Sequence, residues 1–494
     1  MEVRLAPLAA ALALALTSGA SQAAGSQDKL LAELKRLTER MEKLEKRNAE
    51  LENRLAALPA PALARRVEAL EEANRQVSAG LESDRISDKE PELVTRLKAL
   101  ETRADSHGPA ARLAEALEGI SVEGSVAAVA QRVNGKARAD RKDETALTWR
   151  GDVGITLPGG DIGASKGEFF THLRMGQGSG IEGLRPTFTG ATNSLAFQQD
   201  GVPSENTTAI VAQAWYQLTT PLGEGGEDSP HSLQLTVGKI DPFVFFDQNA
   251  AADNEAEKFL NNVFVHNPML DSGGAVGADS YGFSPGVRLA YRNEHGKPEW
   301  WQASIGVFGA GDGATFGKSF TKPFVIGQLE TGLRLFGGLA GTYRLYGWHN
   351  GQYEGYDGSI GTTAGWGISA DQRVDEDLTL FARYGHASSG KVAFNRAITL
   401  GAELNGSPWG RGADGVGVAF AWLRASPGFK AAAADLPDLG YGARGAEKVA
   451  ELYYRYHVNE QLSLTPDLQV IRKAGADPDA DTITALGVRA LYAF

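Results

Sequence analysis

The 494-residue chain ends on Thr482-Ile483-Thr484-Ala485-Leu486-Gly487-Val488-Arg489-Ala490-Leu491-Tyr492-Ala493-Phe494, and this stretch decides the fold class. Counted back from the end, every second residue is apolar or aromatic: Phe494, Tyr492, Ala490, Val488 and Leu486. Successive side chains of a β-strand point to opposite faces, so the pattern gives one apolar face and one mixed face that carries Arg489. We therefore expect the chain to finish on a strand with one face in an apolar environment.

The same two-residue period runs from about residue 120 to the end of the chain. It divides into sixteen segments of roughly ten residues, the length that a tilted membrane strand needs. No later apolar stretch is long enough for a membrane helix, which excludes a helical transporter. We therefore expect residues 120–494 to form a sixteen-stranded antiparallel transmembrane β-barrel. The strands should begin near Ser121, Ala146, Glu168, Ala209, Ser232, Gly286, Trp300, Phe324, Gly338, Thr362, Asp377, Ile398, Gly415, Val449, Leu462 and Thr482.

The amino terminus has the pattern of a secretory signal peptide over residues 1–23. Arg4 precedes an apolar core from Leu5 to Leu16, and Ser21-Gln22-Ala23 supplies small residues for cleavage. The apolar core is shorter than the ~20 residues that a membrane-spanning helix requires. The mature protein is therefore expected in the cell envelope, with its barrel in the bacterial outer membrane.

Residues 24–110 have a helical period instead of a two-residue period. Charged residues surround two apolar seams with alternating spacings of three and four, as in a coiled coil. The pattern predicts α-helical coiled-coil segments in the periplasm, in which Asn48 and Asn74 fix the register. The seam positions are Leu30, Leu34, Leu37, Met41, Leu44, Asn48, Leu51, Leu55 and Leu58, then Leu63, Val67, Leu70, Asn74, Val77 and Leu81.

Composition excludes several kinds of chemistry. The chain has no cysteine, so neither disulfides nor a thiolate site contribute. Its net charge of −12 argues against a nucleic-acid partner. The eight histidines form no Ser/His arrangement, and we expect no catalytic residues, no metal site and no cofactor. The chain is not predicted to be an enzyme.

Assigning the apolar face of each strand to lipid places the opposite face in the lumen. A charge on the lipid side costs ~2–4 kcal/mol at the membrane midplane, which supports this assignment. Guanidinium and aromatic groups in a pore can bind sugars, but guanidinium groups can equally bind anions or pair with acids to hold the wall and loops. The predicted pore-lining residues are Arg150, Arg174, Trp215, Arg288, Arg344, Arg383, Tyr453, Arg455, Asp467, Gln469 and Arg489.

One block of sequence carries a family resemblance. Val237-Gly238-Lys239-Ile240-Asp241-Pro242-Phe243 ends a strand, and an Asp/Asn-rich stretch follows up to Asn267-Pro268. This block resembles the carbohydrate-selective porins of the OprB type, and the aromatic last residue resembles the ending of outer-membrane barrels. The resemblance implies a constricted channel for the diffusion of sugars across the outer membrane. The motif residues are Lys239, Asp241, Asp247, Asn249, Asp253 and Asn254.

These motif residues can either contact solute or tie a loop to the barrel wall. Three functions remain open at this point: a passive channel with a preference for sugars, a phosphate-type channel for anions or organic acids, and a structural tether of the envelope. The expected partners are the lipid bilayer, carbohydrate solutes and further copies of the chain. A homotrimer is expected because porins are commonly trimeric, and the role of the coiled coil would be to hold the trimer together or to extend to peptidoglycan.

Overall fold

Sixteen antiparallel strands close into one barrel, which confirms the predicted fold class. The structure is a computed structural model. The predicted signal peptide (residues 1–23) and coiled coil (24–110) lie outside the described residues. The structure describes residues 119–134, 144–181, 184, 186–199, 201–203, 205–223, 225–270, 282–437 and 439–494.

Each strand pairs with its neighbours in sequence, and the observed starts lie within four residues of those predicted. The first eight are β1 (Ser121–Val133), β2 (Glu144–Ile162), β3 (Ser165–Gln177), β4 (Thr208–Pro221), β5 (His231–Ile240), β6 (Ser284–Asn293), β7 (Trp300–Phe308) and β8 (Phe324–Leu335). The others are β9 (Leu339–Glu354), β10 (Ile360–Arg373), β11 (Leu378–Ser389), β12 (Phe394–Asn405), β13 (Gly415–Ala425), β14 (Ala446–His457), β15 (Leu462–Arg472) and β16 (Ile483–Ala493). The two α-helices of the described part are short, α1 (Asn262–Val265) and α2 (Pro427–Ala432). No described helix has both the length and the apolarity to span a bilayer.

The last strand closes the barrel by pairing with the first. β16 pairs antiparallel with β1, so that Tyr492 lies opposite Val126 and Val488 lies opposite Ala130. Beyond the last strand residue, the amide of Phe494 donates to the carbonyl of Gly124 at 2.9 Å, and the Gly124 amide donates back at 3.0 Å. Closure leaves no sheet edge, which matters because lipid offers no hydrogen-bonding partners.

The two faces of β16 differ as the sequence predicts. Leu486, Val488 and Tyr492 are 57%, 50% and 44% exposed on the outside of the barrel. Arg489 and Ala485, on the other face, are 1% and 0% exposed. The outer face is therefore an apolar surface suited to lipid, and the inner face is covered by other parts of the chain.

The connections differ at the two ends of the barrel. We call the end where β1 begins and β16 ends the terminus end, and the opposite end the loop end. At the terminus end the connections are short, such as 163–164 and 336–338. At the loop end they include 178–207, 241–283 and 426–445. The up-and-down order of the strands thus brings the long connections together at one end.

The contact between Gly124 and Phe494 gives a test of closure. A Cβ on Gly124 would meet the ring of Phe494, whereas a Cβ on Gly361 of β10 would meet nothing within 4 Å. We expect Gly124→Val to destabilise the barrel by about 1–3 kcal/mol through overpacking, and Gly361→Val to have little effect. The temperature at which the folded, heat-modifiable band disappears from a detergent gel measures the stability of both variants. Combining Gly124→Val with Phe494→Ala should remove most of the penalty; an unchanged penalty would contradict the contact.

Candidate functional site

A long segment after β5 lies inside the barrel, and we call its described part, residues 241–270, the lumen loop. Asp241 ends the strand and caps a 3-10 turn, since its carboxylate accepts from the amide of Phe243 at 2.9 Å. The amide of Asp241 donates to Gln213 on β4 at 3.2 Å. Further along, the amide of Asp247 donates to Gln328 on β8 at 2.9 Å. The loop therefore runs from β4 and β5 towards the strands on the other side of the barrel.

Asp247 holds the middle of the lumen loop. It is fully buried and has a left-handed backbone with φ of 57°. Its carboxylate accepts from the Tyr346 hydroxyl at 2.7 Å and from the Asn267 amide at 2.5 Å. The Arg383 guanidinium lies 3.3 Å from the same carboxylate. Burial raises the pKa of Asp247 despite the opposing effect of Arg383. The residue therefore joins two parts of the loop to β9 and β11.

Three other residues of the sequence motif order the loop. The side-chain amide of Asn249 donates to the carbonyl of Ala370 on β10 at 3.1 Å, so this residue also ties the loop to the wall. Asp253 accepts from the backbone amide of Asn249 at 3.1 Å. Asn254 accepts from the amide of Ala256 at 3.0 Å and starts a further turn. These contacts all serve the shape and attachment of the loop.

Three predicted wall arginines bind the next part of the loop. Arg489 on β16 donates to the carbonyls of Glu255 and Lys258 at 2.7 and 2.9 Å. Arg150 on β2 donates to the Glu255 carboxylate at 2.8 Å. Arg455 on β14 donates to the carbonyl of Glu257 at 3.2 Å. Burial tends to raise the pKa of Glu255, yet the neighbouring Arg150 and a second arginine on β3 bring it below its ordinary value.

Strands β14 and β15 hold the loop just beyond these contacts. Glu451 accepts from the amides of Leu260 and Asn261 at 2.5 and 3.0 Å. Gln469 accepts from the side chain of Asn261 at 2.9 Å. Asp467 and Tyr453 complete this region: Gln469 donates to Asp467 at 2.9 Å, and the Tyr453 ring lies 5.0 Å from that of Phe259. The lumen loop thus contacts β2, β4, β8 to β11 and β14 to β16.

A second loop segment, within 178–207, also lies against the inner wall. Glu447 on β14 is fully buried and accepts from the amides of Phe188 and Thr189 at 2.7 and 2.8 Å. The amide of Gly475 donates to the same carboxylate at 2.7 Å. Gln131 on β1 donates to the carbonyl of Thr192 at 3.0 Å. The sequence analysis did not single out Glu447. It could have been found because it is an acid at an inward position of a strand.

Charges on the inner wall occur in compensated groups. Asp152 lies 2.6 Å from Arg150 and 2.7 Å from Arg174. Arg344 lies 3.1 Å from Glu330 and 2.9 Å from Asp371. Sequence reasoning placed these arginines in the lumen but did not single out Glu330 and Asp371.

A third group lies between the wall and the loop. Glu403 on β12 is 2.9 Å from Arg455 and 3.1 Å from Lys258. Glu403 was also missed, although its inward position follows from the same period. This carboxylate therefore joins one wall cation and one loop cation.

Aromatic rings and Arg288 form a cluster on β3, β4, β6 and the loop. The Trp215 ring stacks on Phe170 at 4.9 Å between centroids and meets Phe245 edge-on at 5.8 Å. The Arg288 guanidinium lies 4.4 Å from the centre of the Phe245 ring. The Trp215 indole donates to Gln213 at 3.3 Å. The cluster offers apolar ring faces beside a cation, the chemistry that binds sugar rings.

Lys239 and Arg174 lie near the ring of Phe283, and Asp241 follows two residues after Lys239. The Lys239 ammonium donates to the carbonyl of Val211 at 3.2 Å and lies 5.8 Å from the centre of the Phe283 ring. The Arg174 guanidinium lies 5.2 Å from that ring. Burial raises the pKa of Asp241 to about 6. This carboxyl is thus placed to change its charge near neutral pH.

The predicted pore-lining residues all occupy inward positions of the strands. Most of them contact the lumen loop, and Arg174 and Arg344 pair with acids of the wall. The inward positions are Arg150, Arg174, Trp215, Arg288, Arg344, Arg383, Tyr453, Arg455, Asp467, Gln469 and Arg489.

Comparisons with known proteins agree with this architecture. The family model described as carbohydrate-selective porin, OprB family, matches residues 189–494. The high-pH structure of Pseudomonas putida OprB has a TM-score of 0.62 and 19% identity, covering 78% of this chain and 97% of that chain. Its low-pH structure has a TM-score of 0.45 at 16% identity, with the same coverages. A mutant of Rh. blastica porin has a TM-score of 0.43 at 13% identity, covering 76% and 100%. No curated protein matches the chain.

The family model covers more than half of the chain. Its matched range begins in the 178–207 connection and ends at Phe494, so it contains the thirteen strands from β4 to β16. It therefore includes the whole lumen loop and the closing strand. The similarity to Pseudomonas putida OprB supports the same barrel fold. The chain belongs to the carbohydrate-selective porins of the OprB family, which are channel proteins of the outer membrane and not enzymes.

Proposed function

We propose that the channel passes neutral sugars by passive diffusion between the inner wall and the lumen loop. The observation that carries the proposal is the pairing of the wall arginines. Five of the seven predicted arginines lie within 4 Å of a carboxylate, so their charge is locally compensated. These five are Arg150, Arg174, Arg344, Arg383 and Arg455.

Compensated ion pairs suit an uncharged solute that carries many hydroxyl groups. A carboxylate accepts and a guanidinium donates, so a pair offers both kinds of hydrogen bond to a polyol. The rings of Trp215, Phe170 and Phe245 add an apolar surface on which a sugar ring can stack. A dedicated anion channel would instead present cations without nearby acids. The inner wall therefore favours sugars over anions.

One observation favours the second candidate, a channel for anions or organic acids. Arg288 has no carboxylate within 4 Å among the residues described; its recorded partners are Gln234, Ser304 and the ring of Phe245. An uncompensated guanidinium is a binding site for carboxylate or phosphate groups. The two candidates therefore differ in whether Arg288 or the compensated groups control permeation.

The assembly of the protein is also part of the proposal. The heptad seams support a homotrimer held together by the segment 24–110, with residues 1–23 removed as a signal peptide. The coiled coil would lie in the periplasm and can reach towards peptidoglycan. In a purely structural role, deletion of residues 25–110 would weaken the envelope and leave permeation unchanged.

The solute preference is tested in proteoliposomes that contain the full mature chain. We expect neutral sugars to enter faster than anions of similar size in a swelling assay, and sugars to reduce single-channel current. The reversal potential in a salt gradient gives the ion preference independently. Strong anion selectivity without any block by sugars would refute the sugar proposal and support the Arg288 candidate.

Removing one acid tests the role of compensation in the same measurements. Glu403→Gln leaves Arg455 and Lys258 without their carboxylate partner, and we expect the reversal potential to move towards anion selectivity. Glu205→Gln is the matched control, because it removes an equal charge from an exposed residue of the 178–207 connection that forms no ion pair with any other described residue. Equal shifts in the two variants would show that only net charge matters.

Loosening the lumen loop should change the channel. Asp247→Ala removes the partner of the buried Arg383, a change that typically costs about 3–5 kcal/mol. We expect a less stable barrel, a noisier and larger single-channel current, and a smaller difference between sugars and ions. Asp357→Ala is the control, since this exposed residue pairs with Lys391 at the surface. Unchanged current in Asp247→Ala would mean that the loop keeps its position without this contact.

The pH dependence follows from Asp241, whose pKa is raised to about 6 by burial. Arg174, His172 and Glu255 are the charged or titratable groups that act on it. Above pH 6 the carboxyl is ionised and favours cations; as the pH falls through 6 it gains a proton and this preference weakens. Asp241→Asn should fix the reversal potential near its low-pH value. A variant that still titrates like the parent would assign the effect to another group.

A further inference from the structure

The outer surface of β11 to β15 carries a row of basic side chains at the loop end. Each belongs to the outward set of its strand, and the four arginine or lysine side chains are exposed. None of these four forms an ion pair or hydrogen bond with any other residue that the structure describes. We call this set the basic row: His386, Arg396, Arg424, Lys448 and Arg472.

Strand register places the members of the basic row next to one another. His386 lies opposite Arg396, and Arg396 lies opposite Arg424. On the next pair of strands Lys448 lies opposite Arg472. Side chains directly opposite on neighbouring strands have Cβ atoms about 4.5–5.5 Å apart, and like charges there are destabilising. The row is therefore a concentrated positive charge that an external anion would stabilise.

The acids of the same five strands do not compensate the row. There are four of them, Glu403, Glu447, Glu451 and Asp467, and all take part in the inner-wall contacts described above. The charged side chains on the outward face of β11 to β15 are thus all cations, and they lie near the loop end. Because the apolar band lies directly below, this charge is at the level where lipid headgroups meet the hydrocarbon.

An apolar groove lies on the outer face of β10 to β13, further towards the terminus end. It has a volume of about 490 Å³ and is formed around Leu380, Ala382, Leu400, Ala402 and Phe420. The small side chains of Ala382 and Ala402 lie between larger neighbours and leave the space. Leu400 lies four positions after Arg396 along β12, a rise of roughly 13 Å. A headgroup at the row could therefore extend an acyl chain into the groove.

We propose that the basic row binds the phosphate groups of a membrane lipid in the leaflet at the loop end, with one acyl chain of that lipid in the groove. Charge complementarity identifies the occupant. Adjacent cations favour a phosphorylated headgroup, and the apolar groove favours an acyl chain. A second copy that met this face with its own equivalent face would bring the same uncompensated cations, whereas a copy in a cyclic trimer would meet it with a different face, so the oligomeric mass is measured in the test. The site is separate from the channel and does not depend on which solute passes.

Titration of the delipidated full mature chain with lipid A, a bis-phosphorylated glycolipid, tests the proposal by native mass spectrometry. Replacing two cations with glutamine, Arg396→Gln with Arg424→Gln, should weaken binding by about thirtyfold. The charge-keeping pair Arg396→Lys with Arg424→Lys should retain most of it. The control pair Lys297→Gln with Arg373→Gln removes two cations at the terminus end and should leave binding unchanged.

A separate variant tests the groove without changing charge. Ala382→Phe with Ala402→Phe fills it and should weaken lipid A binding, while binding of inorganic phosphate stays the same. Equal losses in the glutamine pair and its terminus-end control would overturn the proposal. Binding of inorganic phosphate as tightly as lipid A would also overturn it. A change of oligomeric mass in the glutamine pair would overturn it as well, because it would assign this face to a second copy of the protein. Retained heat-modifiability confirms that each variant is folded.

Discussion

The structure depends on the closure of the β-sheet in a solvent that offers no hydrogen bonds. Every strand amide and carbonyl facing a neighbour must find its partner within the sheet, and this is possible only when β16 pairs with β1. Closure then creates two surfaces with opposite requirements. The outside must be apolar along its middle, and the inside must satisfy polar groups that lipid cannot reach. The period of two in the sequence meets both requirements at once.

The inside of the barrel is organised by polar side chains that bind backbone groups of the loops. Glu447 and Glu451 each accept two or more loop amides, and Arg489 donates to two loop carbonyls. Such contacts use charged groups to fix a main chain that has little regular secondary structure of its own. The interior of the barrel is consequently shaped by the wall and the loops together.

The sequence predicted the strands and their faces because alternation is a local property. The inward position of Arg489 and the outward position of Val488 needed no knowledge of any other strand. The attachments of the loops are different in kind. Glu447 and Thr189 meet across a sequence separation of 258 residues, and no local pattern specifies that pairing. The motif around Asp247 was recognisable, but its role in holding the loop required the positions of Tyr346 and Arg383. Compensation by Glu403 was hidden for the same reason.

The distribution of charge on β11 to β15 links the two surfaces. Along these strands the acids face inward, where they hold loops and neutralise arginines, while most of the cations near the loop end face outward. A strand cannot place a side chain on one face without leaving its neighbour to the other. The alternating positions around Glu447 and Lys448 show the consequence, since a buried loop attachment and an exposed cation are adjacent in sequence. Within the same few residues, the inward side chains therefore attach the loops, and the outward side chains set the charge of the outer surface.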